Sequence, residues 1–498
     1  MLIKKYLFLL LFGVALSNPF TAQANFDFNA NCFKAYQAVF ELRLNTAKQL
    51  IAAEKRVHPD NSIVPLLENY VDYFYLITSD NKLEFDRLKD RYDDRLDRIE
   101  GDKDKGSPYY LYAQAEINLQ WALLHGKYGE YFTSAKAVKR ANSMLNSNAK
   151  KFPGFHLNMK GIGLINVFLG NMPDGVLKSA LATFGISGNT QKGLAILDKL
   201  AENLPKSSFE PFYEEVVFYY AFTLTDIVHS PQAYAKTMKF TQRISDSSLL
   251  KSYLQSYVCL KNGHNEEAIA ILASRPSSDV YADFPYLDYL TGLAKLNKLD
   301  LTAATYFNRF LQGYKGTNYI KSANLHLSWI SILKGDIGSY MAFAAKVKNN
   351  GYAFIEKDRQ AIADAAAGVS NTDLLKARLL FDGGYLNRAL AVFAGKSAAD
   401  YSGLKDRTEF YYRLGRIYDG LERDETALNY YQNAINSGKN TKFYFASNAA
   451  LQMGKIYSRL KDKEKAKTYY AMAINMKDHE FKNSIANEAK QGLKNLSD

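Results

Sequence analysis

From residue 30 onward, apolar side chains recur every three or four positions with polar ones between them, the spacing of one apolar stripe per helix. Windows 66–77, 83–99, 109–125 and 128–147 read as helices in the first third of the chain, and Trp121 is expected in the core of the last two. Windows 321–334 and 339–349 read as a helix pair around the turn Lys334-Gly335-Asp336, and 482–496 as a polar, Lys- and Asn-rich closing helix. Long Val/Ile/Thr alternations, the mark of strands, are missing, so the pattern predicts an all-α chain. Window 83–99 is so densely charged that its outer face is expected to be solvated.

A longer period lies over the helical one. Gly415, Tyr418, Ala427, Tyr431 and Ala434 are matched at identical offsets by Gly454, Tyr457, Ala466, Tyr470 and Ala473, with the two glycines 39 residues apart. A small residue on one helix lets a facing helix approach closely, and a large aromatic one fills the space between neighbouring pairs. This code resembles that of the tetratricopeptide repeat (TPR), an antiparallel helix pair that buries its apolar face only by stacking on neighbours. Weaker echoes run back along the chain: Ala377, Leu380, Ala389 and Phe393; Gly292, Ala304 and Leu311; Ser256, Cys259, Ala268 and Leu272; Ala35, Ala38, Ala47 and Ile51. The expected fold is a TPR-like α-solenoid of stacked antiparallel helix pairs. Its expected divisions are a signal peptide (1–24), N-terminal helical pairs with a degenerate repeat (25–150), an apolar Gly-rich connector (151–205), a degenerate array (206–400), two well-formed repeats (401–479) and a polar capping helix (480–498).

The N-terminus carries an export pattern. Lys4 and Lys5 precede an apolar run over 6–16, and Ala22-Gln23-Ala24 is a small-x-small cleavage site that makes Asn25 the expected mature start. The run is short for a membrane anchor, which needs about 20 residues. The expected location is therefore periplasmic or outer-membrane associated. The formal net charge is +12, or +10 without Lys4 and Lys5, but the charges are dispersed rather than clustered. Dispersed lysines favour solubility, with an acidic protein partner as the sharper reading, and nucleic acid does not fit an exported chain. Cys32 and Cys259 are too isolated to form a disulfide framework, and buried free thiols are expected.

The central stretch, from Gly161 through Met172-Pro173 to Phe184-Gly185-Ile186-Ser187-Gly188 and Gly193-Leu194, carries few charges. It reads as a buried helix pair or, alternatively, as an element that touches lipid or lines a ligand. Its order resembles the tetratricopeptide repeat protein 39 (inclusion-body-clearance) family, with one Phe and Gly transposed, over residues 155–475. The resemblance implies a non-enzymatic helical-repeat protein.

No chemistry-bearing motif stands out. The seven histidines are isolated, with no zinc spacing, and no phosphate loop or nucleophile elbow is present. Asp102-Lys103-Asp104 lacks the further ligands of a calcium loop. No catalytic residue, metal site or cofactor is therefore assigned. The first helix of each TPR lines the concave face. On that basis Tyr412, Arg416, Asn448, Leu451, Lys455 and Arg459, with Tyr286 and Tyr289 upstream, are the candidate partner-binding groove. The expected function is an exported scaffold that binds a protein or peptide and has no catalytic activity. The alternatives are a peripheral envelope protein that contacts lipid through 161–186, and an enzyme whose site is assembled from distant residues.

Overall fold

The structure is a computed structural model that describes residues 25–172 and 175–497; the export pattern and cleavage site lie outside the described residues. Among the described residues there are helices and no strands, and most helices adjacent in sequence pack against each other between Ala30–Phe40 and Lys482–Ser497. Apolar residues from Phe26 to Leu379 form one continuous core, and two smaller clusters continue it, one over 374–417 and one over 412–489. A continuous core of this kind is what a stack of pairs builds when none can bury its apolar face alone.

The second half has two layers. Leu249–Lys261, Tyr286–Asn297, Ile320–Leu333, Thr372–Asp382, Gly403–Gly420 and Phe445–Arg459 follow one another as an inner layer. Each but the third is backed by a partner from the outer series Asn265–Ser274, Ala303–Gly313, Leu386–Ala391, Asp424–Gly438 and Lys463–Asn475. Ile320–Leu333 is backed by Ile337–Asn349, and an additional helix, Glu356–Ala366, packs across both. From that helix, buried Asp358 caps Ile320–Leu333, accepting from the Tyr319 amide at 2.7 Å and the Ser322 amide at 3.0 Å. The cap is needed because Tyr319, the residue ahead of the helix, is left-handed (φ 66°) and its side chain caps nothing.

The repeated small and aromatic positions meet as the spacing requires. A Cβ on Gly415 would lie 2.5 Å from a Tyr431 ring atom, and one on Gly454 would lie 2.6 Å from Tyr470. The central glycines serve the same end. Helices Asn158–Asn171 and Thr190–Asn203 cross with Gly163 against Leu197, and a Cβ on Gly193 would lie 2.6 Å from the Gly163 carbonyl. The glycine side of this stretch is thus a protein–protein contact inside the chain.

Window 83–99 departs from expectation in two ways. It forms two helices, Lys82–Leu88 and Arg91–Glu100, and part of its charge points inward. Arg95 is buried, 2.5 Å from Asp72 and 3.1 Å from Asn69 Oδ1. Trp121 is buried as expected and donates to the same Asn69 oxygen at 2.8 Å. Both cysteines are buried and unpaired, and burial pushes each thiol up to about 12.

Contacts distant in sequence hold the first half against the middle. Asp80 accepts from Tyr314 Oη at 2.6 Å and Asn318 Nδ2 at 3.0 Å and pairs with Lys127 at 2.6 Å. The Ala282 amide donates to the Leu42 carbonyl at 2.7 Å. Tyr36 and Tyr70 both donate to Glu215, at 2.6 and 2.8 Å.

Candidate functional site

The candidate groove residues do not share one fate. Tyr412, Leu451 and Tyr289 are buried and serve packing, which corrects their placement on an open surface. Leu451 belongs to the last core cluster, and Tyr289 holds its hydroxyl 2.8 Å from Ser322 Oγ. Lys455 pairs with Glu488 of the closing helix at 2.5 Å, and Arg459 with Asp424 at 2.5 Å and Asp419 at 3.0 Å. Tyr286 is half-buried, stacked on Tyr289 (5.4 Å, 11°) and 4.5 Å from the Tyr319 ring. Arg416 and Asn448 remain part-exposed, joined through Tyr412: Arg416 donates to the Tyr412 hydroxyl at 3.2 Å, and that hydroxyl donates to Asn448 at 3.1 Å.

Arg416 belongs to a ladder that runs further upstream than the repeat spacing suggests. Its guanidinium lies 4.7 Å from the Phe381 ring, and one repeat back Arg378 lies 4.7 Å from Trp329 and 3.1 Å from Asp364. Alternating cations and aromatic faces attract one another through the ring quadrupole. Burial works against the charge on Arg378, but Asp364 and its neighbours outweigh it and hold the guanidinium firmly protonated. Lys357 is exposed, yet surrounding protein, then Lys261 and Arg378, pulls its ammonium below the ordinary value against the opposing pull of Asp382. Trp329, Arg378, Phe381 and Arg416 lie on three successive inner-layer helices, Ile320–Leu333, Thr372–Asp382 and Gly403–Gly420.

Spacing carried a signal for part of this. Arg378, Arg416 and Lys455 each immediately follow the small packing residue of their repeat, Ala377, Gly415 and Gly454. Lys357 has no such register, because it lies on the additional helix Glu356–Ala366.

A second site lies in the first half. A cavity of about 530 Å³ is walled by Leu119, Leu123, Leu164, Ile165, Phe168 and Phe222. Its lining includes Glu116, Gln120 and Lys160, all buried. Lys160 bridges Glu116 at 2.7 Å and Glu215 at 2.5 Å. Burial opposes its charge, yet the two carboxylates hold it above its ordinary value, so Lys160 is an ammonium and not a nucleophile. Burial and the nearby Glu215 push Glu116 up to about 7 against the opposing pull of Lys160. This ion cluster has no motif in the sequence. Among the described residues no group of His, Cys, Asp and Glu is placed to hold a metal ion, and no helix is long and apolar enough to cross a membrane.

Fold and inner surface together define a helical-repeat scaffold. Residues 408–437 and 447–479 match the tetratricopeptide repeat, a unit that generally mediates protein–protein interaction. Among solved structures the chain is similar to one described as the crystal structure of APC/C hetero-tetramer Cut9-Hcn1, at 12% identity, with 93% of this chain and 95% of that chain covered and a TM-score of 0.27. No curated protein matches the chain.

Proposed function

We propose that this chain is an exported, non-catalytic scaffold that holds an acidic segment of a protein partner against the inner surface between Trp329 and Asn448. The observation that carries the reading is the Trp329–Arg378 and Phe381–Arg416 ladder on the inner layer that leads into the two matched repeats. Pre-positioned guanidinium groups on aromatic faces suit carboxylates, since Arg presents a planar fork of donors and loses little freedom on binding. Lys4, Lys5, the apolar run over 6–16 and Ala22-Gln23-Ala24 support export to the periplasm or outer membrane. The resemblance of 155–475 to the tetratricopeptide repeat protein 39 family agrees with a role without catalysis.

The test is in-cell crosslinking and capture of the mature chain beside an Arg378→Glu/Arg416→Glu variant, with circular dichroism to check that the variant is folded. A partner captured by the wild type and lost from the folded variant is the expected result. The same partners on both proteins would remove the inner surface from the interaction.

A further inference from the structure

We propose that the groove between helices Leu44–Val57 and Arg91–Glu100 binds a small elongated dianion, a molecule with an acidic group at each end and an apolar middle. The inference is independent of the proposed function, which concerns the second half of the chain. Both helices pack on Val64–Ser79, which forms the floor between them. The three border a cavity of about 400 Å³, within the range of small-molecule sites, about 300–1,000 Å³. One of its sides is the densely charged segment that the sequence marks as a solvated face.

The cations of the cavity stand at two levels. At one, Lys55 Nζ and Arg98 Nη1 share Glu68, each at 2.9 Å. Burial works against the Glu68 charge, but its bonds to Lys55 and Arg98 outweigh burial and keep it a carboxylate. At the other level, Arg91 and Arg95 share Asp72, at 3.1 and 2.5 Å. Lys48 lines the same cavity, exposed and in no ion pair. Helix Leu44–Val57 turns back into Val64–Ser79, so Lys48 and Asp72 lie on the same side of the Lys55–Glu68 pair. Seven residues separate Lys48 from Lys55, and seven separate Arg91 from Arg98. The two levels are therefore two helical turns, or about 10.5 Å, apart. Between them the lining includes the buried apolar side chains of Ile51 and Val71.

Both levels hold more cations than carboxylates. Lys55 and Arg98 have only Glu68 between them, and Arg91, Arg95 and Lys48 have only Asp72. Asp94 on the rim, about one turn from both Arg91 and Arg98, lowers the surplus to two positive charges. The surplus has accessible donors to spend. Arg91 and Arg98 each give the carboxylates Nη1 alone, and their side chains are 49% and 47% exposed, so Nε and Nη2 of both are open to a ligand. Each end thus offers a planar fork of donors that suits an acidic group. A monoanion leaves one end uncompensated, and a dianion with adjacent charges reaches only one of the two levels.

Isothermal titration of the purified chain at low ionic strength with decanedioate, decanoate and butanedioate tests this. Decanedioate carries two heads on a chain long enough to reach both levels, decanoate carries one, and the heads of butanedioate are too close. The expected result is one decanedioate per chain, bound at least tenfold more tightly than either of the others. Lys48→Gln and Arg98→Gln each remove a cation from one end, and each should weaken decanedioate at least tenfold. Lys34→Gln makes the same charge change at an exposed position outside the cavity and should leave the affinity unchanged. Circular dichroism checks the folds, and the Lys48→Gln result stands alone if the Arg98 variant does not fold. No decanedioate binding, decanoate or butanedioate bound as tightly, full affinity in a folded Lys48 or Arg98 variant, or an equal loss in Lys34→Gln would overturn the proposal.

Discussion

At the scale of single residues, the buried charges behave oppositely to acid. Glu116 is displaced upward to about 7 by burial, then by Glu215, against the pull of Lys160. A carboxyl whose folded value exceeds its unfolded one binds its proton more tightly when folded. Its contribution is therefore full below about pH 4.5 and lost as pH rises through about 7. His326 runs the other way, because burial, then Lys357 and Arg378, holds it down at about 3. Its contribution is present above its ordinary value near pH 6.5 and lost as pH falls toward about 3. Glu116→Gln isolates the first effect. Relative to the wild type, the variant should gain roughly 3 kcal/mol of stability between pH 4.5 and pH 8, measured as the difference between two urea-unfolding series. A difference that stays constant with pH would show that Glu116 ionises in the folded chain as it does in water.

At the scale of elements, the deciding feature is how closely two helix backbones approach. Gly415→Ala would ordinarily favour a helix by about 1 kcal/mol. Here the new methyl would lie 2.5 Å from a Tyr431 ring atom, and the matching change at Gly454 would lie 2.6 Å from Tyr470. Overpacking of this kind costs about 1–3 kcal/mol, so each alanine variant should melt at a lower temperature despite its better helix propensity. Unchanged melting in both would mean that the tyrosines swing aside freely. The charged pair of helices over 82–100 makes the complementary point. Composition alone marks that segment as a solvated face. Arg95 is nevertheless turned inward by Phe85, Leu88, Leu96 and Ile99, whose burial fixes the rotation of the segment.

At the scale of the molecule, distant parts of the chain are tied together by polar contacts as well as by the core. Asp80 is the clearest, because it meets Tyr314, Asn318 and Lys127 at once across 234 and more residues of sequence to the first two. Asp80→Ala would leave the Tyr314 hydroxyl and Asn318 amide without their acceptor, at about 1–3 kcal/mol for each buried group left unmet. Hydrogen exchange should speed up around 314–319, with the two C-terminal repeats unaffected. Equal acceleration in 408–479 would mean that the solenoid unfolds as one unit.

Local and periodic information is legible in the sequence. The 3.6-residue period gives helices, and the Gly415/Tyr431 and Gly454/Tyr470 offsets give the pairing of the last repeats, because both depend on residues near one another in the chain. The same register extended one repeat back reaches Arg378. What no spacing could supply is the meeting of Lys160 with Glu116 and Glu215, or of Asp80 with Asn318, because these contacts depend on how far each helix pair turns relative to the last. The fate of Tyr412, Leu451 and Tyr289 is hidden too, since a first-helix position faces either the inner surface or the next repeat by a rotation of one residue. Residue spacing thus specifies a stack of helix pairs. Which charges that stack encloses, and which it leaves exposed, is set by the three-dimensional packing, because small rotations between pairs add up over hundreds of residues.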